Sequence, residues 1–73
     1  MSEIEALHEM VDEFEDLMRS KLILNKQRGF MWWDDPETLP DSDLVRSLKE
    51  NVEEGDWVDV ANLAAILWYR KEK

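Results

Sequence analysis

The stretch Gly55-Asp56-Trp57-Val58-Asp59-Val60-Ala61-Asn62-Leu63-Ala64-Ala65-Ile66-Leu67 decides the fold. A glycine interrupts the chain, two carboxylates one helical turn apart follow, and the rest is apolar almost throughout. An aspartate just before a helix accepts from a free backbone N–H of the first turn, and its charge complements the positive end of the helix dipole. Asp56 therefore predicts a helix from Trp57 to about Lys71. Trp57, Val60, Ala61, Ala64, Leu67 and Trp68 fall on one stripe of it, and Leu63, Ala65, Ile66 and Tyr69 leave little of the remaining surface polar. A helix apolar nearly all round belongs at the centre of a bundle or an oligomer. Asn62, inside that run, reads as a buried amide bonded to a neighbouring helix; the alternative is a contact to a nucleotide.

Upstream, Asp41 or Ser42 can cap a second helix running to about Glu54, with Leu44, Val45, Leu48 and Val52 inward. One internal glycine costs only about 1 kcal/mol, so a single bent helix over 43–71 is the alternative to a break at Gly55; the break is the preferred reading. Residues 2 to about 25 form a long amphipathic helix. Ser2 and Glu5 have capping-box spacing, and Ile4, Leu7, Val11, Phe14, Met18 and Leu22 recur on one face. Glu3, Glu5, Glu9, Asp12, Glu13, Glu15 and Asp16 precede Arg19, Lys21, Lys26 and Arg28, an order that complements the helix dipole. Gly29 ends the region.

The connection, about 26–40, carries Phe30, Met31, Trp32 and Trp33, too apolar a quartet for a free loop. It is expected to pack under the helices or form part of an interface, with one tryptophan of the pair in the core. Pro36 suits the first position of a short helical turn capped by Asp35. The expected fold is all-α: one domain over 1–73, three helices with an aromatic-rich connection, completed by dimerisation.

Composition narrows the function. A chain of 73 residues allows one domain with a thin core. It has no cysteine, so neither a disulfide nor a thiolate zinc site is available. His8 stands among Glu5, Glu9 and Asp12 without a nitrogen or sulfur co-ligand, which leaves only oxygen-ligand metals such as Mg²⁺ or Mn²⁺. A hydrophobic content of 44% excludes disorder, and four tryptophans are more aromatic surface than so small a monomer hides, which predicts a homodimer or a partner-bound state. The net charge of −9 opposes direct binding to nucleic acid or acidic membranes and suits a basic protein surface, the ordinary alternative being solubility. No leader pattern and no apolar run of about 20 residues is present, so a soluble cytoplasmic protein is expected. No serine-nucleophile arrangement and no phosphate-cradling glycine loop is visible.

The segment Phe14 to Gly29, with Lys21-Leu22 and Asn25-Lys26-Gln27-Arg28-Gly29 at its end, resembles the opening of short MazG-like proteins common in bacteriophages. The similarity resumes at Leu44 to Glu54 and at Asp59-Val60-Ala61-Asn62-Leu63-Ala64. The resemblance implies an all-α, oligomeric nucleoside triphosphate pyrophosphohydrolase that cleaves the α–β phosphate bond with Mg²⁺ held by two acidic motifs, E-E-x-x-E and E-x-x-D. These map onto Glu50-Asn51-Val52-Glu53-Glu54 and Asp56-Trp57-Val58-Asp59. Asn51 replaces a glutamate, Asp56 replaces another, and only Gly55 separates motifs that are far apart in the family. The resemblance would make Glu50, Glu54, Asp56 and Asp59 the metal ligands, with Lys21, Lys26, Arg28 and Asn62 toward the nucleotide.

With those departures, the preferred reading is a non-catalytic MazG-like phage-type protein without a cofactor. It would bind and modulate, by inhibition, a host or phage protein through that protein's basic surface. Trp32 and Trp33 with Glu9, Asp12, Glu13 and Asp16 would make the contact. The alternatives are a minimal Mg²⁺-dependent pyrophosphohydrolase and a nucleotide binder that does not cleave.

Overall fold

A computed structural model describes residues 2–73 and consists of α1 (Glu3–Gln27), α2 (Asp41–Glu54) and α3 (Trp57–Glu72). The protein is all-α, with no strand among the described residues.

Both glycines end helices in the same way. Gly29 and Gly55 adopt left-handed backbone, φ 98° and 74°. After α1, Phe30 N–H donates to Asn25 O and Gly29 N–H to Lys26 O; after α2, Asp56 N–H donates to Asn51 O and Gly55 N–H to Val52 O. This paired closure satisfies carbonyls that the helix itself leaves free, and it needs a residue without a Cβ penalty at positive φ. The break at Gly55 thus replaces the single bent helix, and α1 extends slightly beyond its expected end near residue 25.

The starts differ from one another. Ser2 Oγ accepts from Glu5 N–H at 3.1 Å and Asp56 Oδ1 from Asp59 N–H at 3.2 Å, both as expected. The expected cap of α2 by Asp41 or Ser42 is corrected: Pro40, in extended backbone, precedes the first helical residue, Asp41, and no side chain caps the turn. The Asp41 carboxylate is engaged by Arg70 instead. Asp35 does cap the turn after Pro36, accepting from Glu37 and Thr38 N–H and from the Thr38 hydroxyl.

Helix α3 is the spine. It packs against α2 and α1, whereas the backbones of α1 and α2 stay apart among the described residues. The core is correspondingly small: Leu44 of α2 and Ile66 of α3 are 2% and 7% exposed, and Asn62, 3% exposed, is buried beside them. Helix α1 buries no residue fully. Its polar contacts to α3 are made at Met18 and Lys21, and the segment before them projects, giving the molecule a 46 Å long dimension. Trp57 and Trp68 stay exposed although α3 is central. Among the described residues no helix is long and apolar enough to cross a membrane.

Candidate functional site

The polar part of the apolar spine is concentrated where α3 begins. Lys21, on the α1 face turned to α3, places Nζ 3.9 Å from Asp56 Oδ2 and 3.7 Å from Asp59 Oδ2. Asp59 is the more enclosed of the two carboxylates, and burial, followed by its hydrogen bond with Asp56 and the negative charge beside it, raises its pKa against the pull of Lys21 and Asn25. Asp56 moves the opposite way, held down first by the backbone N–H of Asp59 and further by Lys21. The environment thus drives the two pKa values apart, Asp59 upward and Asp56 downward.

Asn62 lies one turn further along. Its Nδ2 donates to Met18 O of α1 at 3.1 Å, as the reading of a buried amide bonded across helices anticipates. Two acceptors remain without a partner in this buried region, Asn62 Oδ1 and Asp59 Oδ1. Both residues line an open cleft of about 400 Å³ whose other polar walls are Asn25, Arg28, Asp43, Ser47 and Asn51.

The residues aligned with the acidic motifs do not assemble into a cage. Glu50 and Glu54 are exposed on α2, whereas Asp56 and Asp59 face Lys21 across α1 and α3. Among the described residues no three His, Asp or Glu side chains converge to hold a metal ion. The turn at Gly55 is the physical cause. It starts α3 immediately after α2, so the two motifs lie end to end instead of side by side along facing helices. An octahedral Mg²⁺ needs oxygen ligands around it, and here the carboxylates nearest one another already flank an ammonium. The residues therefore do not fit the ion. The basic side chains are likewise separated: Lys21 pairs with the aspartates, Arg28 borders the cleft, and Lys26 borders a different groove.

That second groove, about 540 Å³, is walled by Leu22, Phe30, Trp33, Ile66, Trp68 and Tyr69. Trp33 is half-buried, its ring centroid 5.2 Å from that of Tyr69 at 58°, a tilted aromatic contact. Trp32 is 53% exposed and adopts φ 60°, a left-handed conformation that non-glycine residues rarely take. One tryptophan packs and its neighbour is displayed.

Arg70 holds this arrangement, and nothing in the local sequence marks it for that role. Its side chain is 4% exposed. Nε donates to Trp33 O and Nη1 to Leu39 O, each at 2.8 Å; Nη1 also reaches Asp41 Oδ1 at 2.8 Å, and Nη2 donates to Trp32 O at 3.1 Å. A planar guanidinium with a fork of donors can gather several carbonyls of an irregular segment, which an ammonium cannot do. The only sequence signal is an arginine following the apolar run of α3, and its partners lie more than 28 positions earlier, out of reach of any periodicity argument.

Glu9, Asp12, Glu13 and Asp16 are all exposed on the projecting part of α1. With Glu5 they span an arc of roughly 100° at 3.6 residues per turn, opposite the stripe of Ile4, Leu7, Val11, Phe14 and Met18. Glu15 lies outside this arc, beside the apolar stripe, and pairs with Arg19 at 2.7 Å. Acidic back and apolar front thus divide the helix, with Glu3 and Glu15 bordering the front on either side. Comparison of the chain with protein-family models, with curated proteins and with solved structures gives no match.

Proposed function

We propose that the protein is a non-catalytic, MazG-like phage-type binding protein that docks on the basic surface of a host or phage protein and inhibits it. The observation that carries this reading is the acidic back of α1, where Glu5, Glu9, Asp12, Glu13 and Asp16 stand exposed on a helix that projects beyond the domain. A row of like charge on a projecting rod raises the encounter rate with an oppositely charged surface and repels nucleic acid competing for it. Trp32, displayed by the Arg70 contacts, supplies the large apolar contact that anchors such interfaces. The setting is the cytoplasm of the host cell.

The test is affinity capture with a tagged chain and its Glu9→Lys/Asp12→Lys/Glu13→Lys/Asp16→Lys variant, followed by reconstitution with the purified captured protein. The reading requires a basic partner, lost with the variant, weakened by salt and by Trp32→Ala, and functionally inhibited by the wild-type chain. A partner indifferent to the charge reversal would overturn it. So would Mg²⁺-dependent pyrophosphate release from nucleoside triphosphates that disappears with Asp59→Asn.

A second reading, nucleotide binding without cleavage, is favoured by one observation: the unpartnered Asp59 Oδ1 and Asn62 Oδ1 border a cleft that also has Arg28 in its wall. Two acceptors suit the N–H groups of a base, and a guanidinium suits a phosphate. Titration of nucleotides with tryptophan emission as the readout tests it; no change with any of them removes it.

A further inference from the structure

We propose that the aromatic groove between the end of α1, the connection and the second half of α3 binds a small aromatic acid carrying a ring N–H, an indole carboxylate in chemical class. Its walls call for a flat apolar ring. Phe30 and Trp33 come from the connection, Trp68 and Tyr69 from α3 and Leu22 from α1, around a space of about 540 Å³. That volume lies within the roughly 300–1,000 Å³ of small-molecule sites. Trp33 is already tilted against Tyr69, an arrangement in which aromatic rings attract, so a further ring extends a pair that exists.

The floor calls for a donor. Asn62 lines the groove at 3% exposure; its Nδ2 is engaged by Met18 O, and its Oδ1 has no partner. An enclosed, unpaired amide oxygen is costly, and an N–H from a ligand relieves that cost where a methyl group or a second acceptor does not.

The rim calls for an anion. Lys26 is exposed, forms no ion pair among the described residues, and is the single charged side chain lining the groove. In a chain of net charge −9, a wall with one ammonium and no carboxylate is a local exception. It favours an acidic headgroup and leaves a basic one without a counter-charge. Depth then orders the ligand: ring N–H inward to Asn62, ring among the aromatic walls, acid arm outward to Lys26. An aliphatic acid satisfies Lys26 but not Asn62, and a neutral indole does the reverse. Asn62 also borders the 400 Å³ cleft, but Lys26, Trp33, Trp68 and Tyr69 do not. The acidic back of α1 and Trp32 take no part, so the site stands or falls independently of the basic partner.

The tryptophans supply the readout. In isotope-labelled chain, the indole N–H resonances of Trp33 and Trp68 report the groove, and that of Trp57, which does not line it, is the internal control. Indolepropionic acid is titrated beside its N-methyl derivative, its carboxamide and dodecanoic acid. Indolepropionate should bind saturably with a dissociation constant below about 1 mM, moving Trp33 and Trp68 and leaving Trp57 in place. N-methylation and amidation should each weaken binding by at least about fivefold. Asn62→Leu should remove the sensitivity to N-methylation, and Lys26→Gln the sensitivity to amidation. Ala65→Trp, at an exposed position in the wall, should block binding. The analogue comparisons use the unaltered chain and decide the matter even if a variant unfolds. Equal binding of dodecanoate or of the N-methyl compound would overturn the proposal, as would no shift at millimolar ligand. Shifts of Trp33 and Trp68 with protein concentration alone would show a second copy filling the groove and overturn it too.

Discussion

Replacing Arg70 by alanine should bring this protein close to unfolding. The guanidinium is almost wholly enclosed and donates to three main-chain carbonyls, those of Trp32, Trp33 and Leu39, and to the Asp41 carboxylate. Asp41 is 63% exposed and rehydrates freely once released, so that arm contributes little. Each carbonyl bond is worth about 1 kcal/mol net, and loss of the packed aliphatic stem adds about 1 more, giving about 4 kcal/mol in total. A domain of this length has roughly 4–11 kcal/mol to lose, and the melting temperature should fall by something like 15–30 °C. Arg70→Lys keeps the charge but reaches fewer carbonyls and should cost about 2 kcal/mol. Asp41→Asn should stay within about 0.5 kcal/mol of wild type. Urea unfolding followed by tryptophan emission gives the free energies, and near-ultraviolet circular dichroism reports the Trp33–Tyr69 contact. If Arg70→Lys matches wild type, or alanine costs under about 1 kcal/mol, the guanidinium does not hold the connection and the reasoning fails.

Asn62→Leu forfeits one bond, to Met18 O, but removes a buried unpaired acceptor, and should leave stability unchanged or raise it by about 1 kcal/mol in urea titration; a clear loss would mean that Oδ1 is satisfied in solution. Gly55→Ala meets no atom within 4 Å of the new Cβ, so the only cost is the positive φ, about 1 kcal/mol by thermal melting, and a larger effect would contradict an open turn. Asp59, whose pKa is raised, takes up its proton in the folded state first, so its contribution is fullest below about pH 4 and is lost as pH rises through its folded pKa. Asp56 and Asp35 have lowered values and contribute above that range, losing it as pH falls further. Melts across pH 3 to 7 should therefore show the Asp59→Asn variant without the gain that wild type acquires on acidification toward about pH 4. Equal slopes would show that Asp59 is not enclosed.

The elements were legible because their signals are local. Ser2 and Asp56 are caps read from one turn of sequence, and Gly29 and Gly55 are stops whose positive φ explains them. The cap of α2 misled because Asp41 offers suitable chemistry for that role but is drawn to a partner 29 residues away. One tryptophan of the pair was expected in the core; Trp33 is half-buried against Tyr69, Trp32 is exposed, and the means, Arg70, carries no periodic signature. At the candidate site, the sequence placed Asn62 correctly as a cross-helix amide. It also grouped Lys21, Lys26 and Arg28, which the structure distributes to three different surroundings, because helical angle and tertiary neighbours, not adjacency in the chain, decide what side chains share.

That α1, among the described residues, packs its backbone on α3 and not on α2 has a kinetic meaning. The pair α2–α3, joined by the tight turn at Gly55, is a local hairpin of helices whose contacts close over short chain distances, and such contacts form early. α1 joins it through contacts such as Asn62 to Met18, 44 residues apart, and these form late and open first. The order of assembly therefore runs against the order of the chain. The first helix in the sequence is the last to be secured, and its acidic back joins a surface that α2 and α3 have already formed.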